Sequence, residues 1–222
     1  MNILLSIIDC LKILAQAIRF SILNIAIENN NSLLIQILGY VNPFYIFNRK
    51  IPPGLRIKNF LESLGPMFIK FGQLLSTRTD VVPVKITSHL KELTDQCKPF
   101  ATNDAKKIIE RSLNIKIDEV FKDFEDTPLA AASLAQVHKA KIKKTNEKVV
   151  IKVLRPGIHK RVKRNVRVMR TAGFLINLLY KDSNRLNLND VIDDYENTIF
   201  RELDLKVEAE NTTVTKQHLA DS

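Results

Sequence analysis

Cysteine is scarce in this chain: Cys10 and Cys97 are the only two, far apart and outside any C-x-x-C. That excludes a disulfide framework and a cysteine-built metal site, and leaves reduced thiols in a cytosolic setting as the plain expectation. Glycine is nearly as sparse, with six in 222 residues and none after Gly173. There is no internal repeat, and no low-complexity tract beyond Asn29 to Asn31. Acidic residues are outnumbered, 24 against 34 lysines and arginines, which gives a formal charge of +10 and a pI near 9.6. Such a balance attracts polyanions. Nucleic acid is the poorest candidate among them, because no zinc pattern, RNP-type motif or aromatic-interleaved basic patch occurs. A nucleotide or an anionic membrane surface remains. With 45% hydrophobic residues the chain can bury one ordinary core, together with a helical extension.

A cleavable signal is also missing, since the start has no basic n-region and Asp9 interrupts the apolar run, although Ala15-Gln16-Ala17 mimics a cleavage site. Residues 1–28 are the most apolar stretch. Their polar members Asn2, Ser6, Asp9, Lys12, Gln16 and Arg19 recur at spacings of three and four, which on one helix makes a narrow polar stripe. Asp9, Lys12 and Arg19 would each cost roughly 2.5 to 3.5 kcal/mol at a bilayer centre, so a clean span is not expected. A helix lying in the membrane interface is the preferred reading, and a helix packed under a protein partner is the other. A break over Asn29 to Ser32 precedes a second apolar piece, Leu33 to Val41, and Pro52-Pro53-Gly54 marks a boundary near residue 55.

From Leu55 to Phe121 the period is helical and without β character. Gly65-Pro66 opens a helix with proline at its favoured first position, Pro83 opens another over Val84 to Gln96, and Thr102 or Asn103 caps a third, Ala105 to Leu113. Next comes P-L-A-A-A-S-L-A-Q-V-H, Pro128 to His138, then a polar turn from Lys143 to Lys148, then V-V-I-K-V-L-R-P-G, Val149 to Gly157. Period two places Val149, Ile151 and Val153 on one side of the second strand and Val150, Lys152 and Leu154 on the other. Two helices are expected after it, about Ile158 to Tyr180 and Asp190 to Asn211. A small-residue loop followed by a strand that presents one lysine is the layout of a nucleotide roof; in protein kinases such a lysine meets the phosphates and is held by a helix glutamate. Taken singly, each piece has a plainer reading: a packed turn for Ala130, Ala131, Ala132 and Ser133, an edge charge for Lys152, and a solvated face for the acidic helix.

Companion motifs narrow the choice. Lys70, Gly72 and Gln73 form K-x-G-Q in F-I-K-F-G-Q-L-L-S-T-R-T-D, and Glu202 and Asp204 form E-x-D in F-R-E-L-D-L-K-V-E-A-E-N, followed by Glu208. From about Pro52 to about Asn211, in this order, the chain resembles the UbiB family of atypical, protein-kinase-like proteins linked to ubiquinone (coenzyme Q) biosynthesis. The resemblance implies ATP or ADP bound near Ala130, Ala131, Ala132, Ser133, Lys152 and Glu208. It implies too that Lys70 and Gln73 fold over the nucleotide cleft and restrict protein substrates, with Glu202 and Asp204 as further catalytic contributors. On a regular helix Asp204 and Glu208 share a face while Glu202 is turned about 160° from Asp204, so Glu208 is the expected partner of Lys152. Glu202 reaches a phosphate region only if the helix bends or ends locally. Alanines in place of glycines should stiffen the phosphate-facing turn by removing φ > 0 conformations.

The large-lobe motifs of a kinase are absent: no His is followed by x-D, and no D-F-G occurs. No metal site is assigned, and Mg²⁺ is expected to require that lobe, from a separately encoded polypeptide if not from this one. The expected fold is α+β: residues 1–54 as apolar, membrane-interface helices; 55–125 as a helical extension carrying K-x-G-Q; and 126–222 as part of a protein-kinase-like small lobe, a short antiparallel sheet plus helices. The expected function is that of the N-terminal half of a UbiB-like atypical kinase or ATPase, acting with ubiquinone-biosynthesis proteins at the cytoplasmic face of a bacterial inner membrane. A non-catalytic lipid- or partner-binding scaffold, or the product of a truncated or split gene, is the alternative. A basic stripe on the helix after Pro156, Lys160, Lys163, Arg164, Arg167 and Arg170, is either a solvated face or a second contact with anionic lipid. Heavy use of Ile, Asn and Lys points to an AT-rich bacterial genome.

Overall fold

A computed structural model describes residues 2–28, 41–80, 82–94, 97–179 and 188–220. Among the described residues the architecture is α+β, with helices and one small antiparallel sheet. In chain order the described elements are α1 (Asn2–Arg19), α2 (Ile22–Glu28), α3 (Tyr45–Asn48), α4 (Pro53–Leu64), α5 (Pro66–Thr77), α6 (Val84–Leu90), α7 (Thr102–Leu113) and α8 (Ile117–Val120). Strands β1 (Phe121–Lys122), β2 (Ala130–Ala131), β3 (Ala135–Ile142) and β4 (Lys148–Leu154) follow, then α9 (Ile158–Leu179), α10 (Leu188–Glu202) and α11 (Leu205–Ala220). The chain forms two compact units, one of residues 1–94 and 162–198 and the other of residues 95–161 and 199–222.

Among the described residues the regular elements of the first unit are all helices. Proline at the first turn starts α4 and α5, where its missing N–H costs nothing. Gly72 lets α5 approach its neighbours: a Cβ there would overlap Leu93 Cδ1 and come within 2.7 Å of Leu61 Cδ1. Leu61, Met67, Phe68, Leu90 and Leu93 are buried, as are Val162, Val166, Val191 and Tyr195 from the later part of the chain. Tyr195 donates its hydroxyl to the Met67 carbonyl at 2.7 Å and meets the Phe71 ring edge-on. Three sequence expectations change in this unit. The apolar N-terminus is two helices rather than one, because Ser21 adopts φ 53° and breaks the helix. The carbonyls freed there are satisfied from far along the chain: Asn42 donates to Ile18 O at 2.9 Å and Asn48 to Arg19 O at 2.7 Å. Helix α6 ends at Leu90, short of Gln96, which lies outside the described residues, as do residues 33–40 of the second apolar piece. In the basic stripe, Arg164 is 3.1 Å from Asp9, and Arg170 is 2.6 Å from Asp193 and 2.7 Å from Glu196, so those two cations are committed.

In the second unit β3 lies in the middle, with β4 along one edge and β1 and β2 sharing the other. The two extra strands are each two residues long, and β1 closes the segment read as purely helical. Ile109, Ala105 and Ile117 form the core with Val153, flanked by Phe100, Phe121, Phe124 and Ile151. Thr102 is the first residue of α7 rather than its cap, and its hydroxyl donates to Asp126 O at 2.8 Å instead. The acidic helix expected over Asp190 to Asn211 is interrupted: α10 ends at Glu202, Leu203 is buried, and α11 begins at Leu205.

Candidate nucleotide-binding site

Strand pairing sets the face on which Lys152 stands. His138 pairs with Ile151 and Gln136 with Val153 toward the core, while Val137 pairs with Lys152 and Lys139 with Val150 on the opposite face. Paired residues on an antiparallel sheet point the same way. Lys152 thus shares an open face with two valines, and its side chain is 40% exposed. Its Nζ lies 2.6 Å from both carboxylate oxygens of Glu208, in the first turn of α11. Lysine and glutamate are therefore brought together across 56 residues.

The break before α11 decides what the other acidic groups do. Asp204 stands just ahead of the helix, and its Oδ1 accepts the Lys206 backbone N–H at 3.1 Å, a helix cap. Glu202 ends α10, half-buried, on the far side of Leu203. Of these acids Glu208 meets Lys152, while Asp204 closes the first turn of α11. Among the described residues no group of three His, Cys, Asp or Glu side chains could hold a metal ion.

The alanine segment is a hairpin rather than an open loop. Ala130 and Ala131 pair with Val137 and Gln136, and the Ala132 N–H donates to Ala135 O at 2.9 Å, leaving Ser133 and Leu134 as a buried turn. None of these residues has positive φ. Arg155 holds the hairpin from behind: Nε donates to Ala132 O at 2.9 Å, Nη2 to Lys98 O at 2.8 Å, and the guanidinium lies 5.7 Å from the Phe100 ring centre. Beneath it, His138 and Gln136 are fully buried. His138 Nδ1 is 2.8 Å from Glu125 O, which can only accept, so Nδ1 carries the proton and Nε2 accepts from the Gln136 amide at 2.8 Å. Gln136 Oε1 in turn accepts the Phe100 N–H at 3.0 Å.

Lys70 and Gln73 belong to the first unit. Lys70 is half-buried on α5, and the Gln73 amide donates to Leu93 O at 3.0 Å, fastening α5 to the segment after α6. Two turns along the motif, Arg78 bonds Asp80 at 2.9 Å and Asp194 at 2.7 Å; these carboxylates hold its guanidinium above its ordinary pKa. Sequence reasoning passed over Arg78, Arg155, Gln136 and Val137. A usable signal was there for one of them: Gln136 and His138 alternate on an otherwise apolar strand face, where polar groups need partners.

The model of the ABC1 atypical kinase-like domain matches residues 92–222. This chain belongs to the ABC1 atypical kinase-like family. Its ABC1 segment contains Lys152, Glu208 and the alanine hairpin. It is similar to the "Probable protein kinase UbiB" of Marinobacter nauticus, with 39% identity over 189 residues, 85% of this chain and 34% of that protein. The corresponding proteins of Shewanella piezotolerans (43% over 169 residues, 76% of this chain, 31% of that protein) and Azotobacter vinelandii (40% over 191 residues, 85% and 35%) are similar too. The resemblance to UbiB proteins is thus borne out, and the relatives are bacterial. This ABC1-family chain spans about a third of the length of the curated relatives it matches.

Proposed function

We propose that this chain is the nucleotide-binding part of a UbiB-like atypical kinase or ATPase that supports ubiquinone (coenzyme Q) biosynthesis at the cytoplasmic face of a bacterial inner membrane. The observation that carries the reading is the Lys152 to Glu208 pair on an open sheet face. A lysine held by a carboxylate is oriented while two of its ammonium hydrogens are engaged, and its charge is available to an anion placed beside it. Val137 and Val150 on the same face offer apolar surface to a nucleotide base, and Val150 is 63% exposed. Lys152 and Glu208 would hold the phosphate end of ATP or ADP, and the alanine hairpin, fixed by Arg155, would border it. The nucleotide supplies the transferable phosphoryl group. The catalytic aspartates and the Mg²⁺ ligands would come from a large lobe, within one polypeptide or as a separate partner. The link to ubiquinone rests on the family resemblance.

Thermal shift with ATP and ADP, with the large lobe supplied, tests the reading: the native chain is stabilised and Lys152→Ala is not. An equal shift in both overturns the site. The alternative, a non-catalytic scaffold at the membrane, is favoured by the exposed apolar side chains of α1. It prevails if liposome flotation recovers the chain while no nucleotide shifts its melting.

A further inference from the structure

On α1, Ile8, Leu11, Leu14 and Ile18 are all open to solvent. At 100° per residue they fall within about 120° of arc, one continuous stripe. A second exposed group stands at α3, where Phe44, Ile46 and Phe47 are 44%, 68% and 77% exposed. The two groups adjoin, because Asn42 and Asn48, on either side of this short turn, are bonded to the carbonyls of Ile18 and Arg19 at the end of α1. Asn48 also donates to the buried Ser21 hydroxyl at 3.0 Å, so α3 is a braced projection rather than a loose loop.

The rim identifies what covers it. Lys12, Arg19, Arg49 and Lys50 are all exposed around these side chains. In the first 61 residues Asp9 and Glu28 are the only acids, and Asp9 is 3.1 Å from Arg164. A second copy of the chain would bring the same cations against these, which is repulsive, whereas anionic headgroups over acyl chains match both the charge and the apolar surface. Among the described residues no helix is long and apolar enough to cross a membrane, so a lipid contact through this surface would be interfacial. We propose that α3 is a wedge that inserts Ile46 and Phe47 below the headgroups of an anionic membrane, beside the apolar stripe of α1. This rests on the membrane placement proposed above and adds the surface that makes the contact.

The chain contains no tryptophan, so Phe47→Trp gives an unambiguous reporter in the full-length chain. With vesicles of phosphatidylcholine containing phosphatidylglycerol its emission should shift to the blue and be quenched by lipids brominated on the acyl chains; with phosphatidylcholine alone both effects should fall away. Ile46→Ser with Phe47→Ser should weaken vesicle partitioning by at least roughly tenfold, since each buried side chain of this size is worth that much. Both positions are largely exposed, and an unchanged circular dichroism melt shows that the fold is kept. Equal partitioning of the double variant, or an unquenched tryptophan on a chain that floats, overturns the wedge and leaves membrane association standing. If the native chain does not float, both fall. A blue shift that grows with protein concentration without vesicles means that a second copy covers the surface, which also refutes the wedge.

Discussion

Gln136→Leu is the sharpest test of how the second unit is built. The side-chain volume is nearly kept, but the amide that joins His138 to Phe100 disappears. Three groups then lose a partner: the Phe100 N–H, which Oε1 accepts at 3.0 Å, His138 Nε2, which Nε2 meets at 2.8 Å, and the Phe100 carbonyl, to which Nε2 donates at 3.4 Å. A buried group left unsatisfied costs about 1 to 3 kcal/mol. His138 is fully buried and Phe100 only half, so the expected loss is ~2–4 kcal/mol, against a total of about 5–15 kcal/mol for an ordinary domain. Hydrogen exchange read on peptides covering β3 and β4 localises the effect, and their opening free energy should fall by that amount while peptides of α4 and α5 are unchanged. A loss below ~1 kcal/mol would refute the reasoning, because it would mean that these groups find other partners as readily.

Tyr195→Phe removes the hydroxyl bonded to Met67 O and keeps the ring against Phe71; urea unfolding should show a loss of about 1–2 kcal/mol. Gly72→Ala forces a methyl against Leu61 and Leu93, and thermal melting should report ~1–3 kcal/mol of destabilisation, with Gly72→Val worse. Asp123 is held below the usual carboxylate range by its hydrogen bond to Lys141, so NMR titration of Lys141→Met should move its midpoint upward. The sign for stability follows: the contribution is present above the unfolded-state pKa and is lost as pH falls through the lowered folded-state value. It is small, because Asp123 is exposed. Ala131→Gly should change the ratio of ATP to ADP affinity measured by calorimetry, because it admits φ > 0 where none of the hairpin residues now has it.

The parts legible in the sequence are those set by local chemistry. Proline at a first turn fixed the start of α5, period two fixed which residues flank Lys152 on β4, and spacing on a helix favoured Glu208 over Glu202 as its partner. What stayed hidden depends on distant partners. Nothing within residues 1–28 announces a break at Ser21; the break is tolerable because Asn42 and Asn48 bond the freed carbonyls. Asp204 reads as one more acid on a continuous face until its carboxylate is seen closing the first turn of α11. Arg155 sits in a turn signal, Arg155-Pro156-Gly157, and its bonds to Ala132 and Lys98 connect segments that period and composition cannot relate.

The bond between Tyr195 and Met67 joins residues 128 apart in sequence. The first unit is completed only by residues 162–198, so it cannot close while the chain is being made until that later stretch has emerged. At about 5–20 residues per second the wait after Met67 is made lasts roughly 6 to 25 seconds. During that interval the Met67 carbonyl and the Phe71 ring on α5 lack the tyrosine that later meets them, and the apolar α1 is already outside the ribosome. A nascent chain of this design spends its synthesis with sticky surface uncovered. Ribosome profiling with selective capture should therefore find chaperone engaged from about the synthesis of α5 until α10 has been delivered, and released after it.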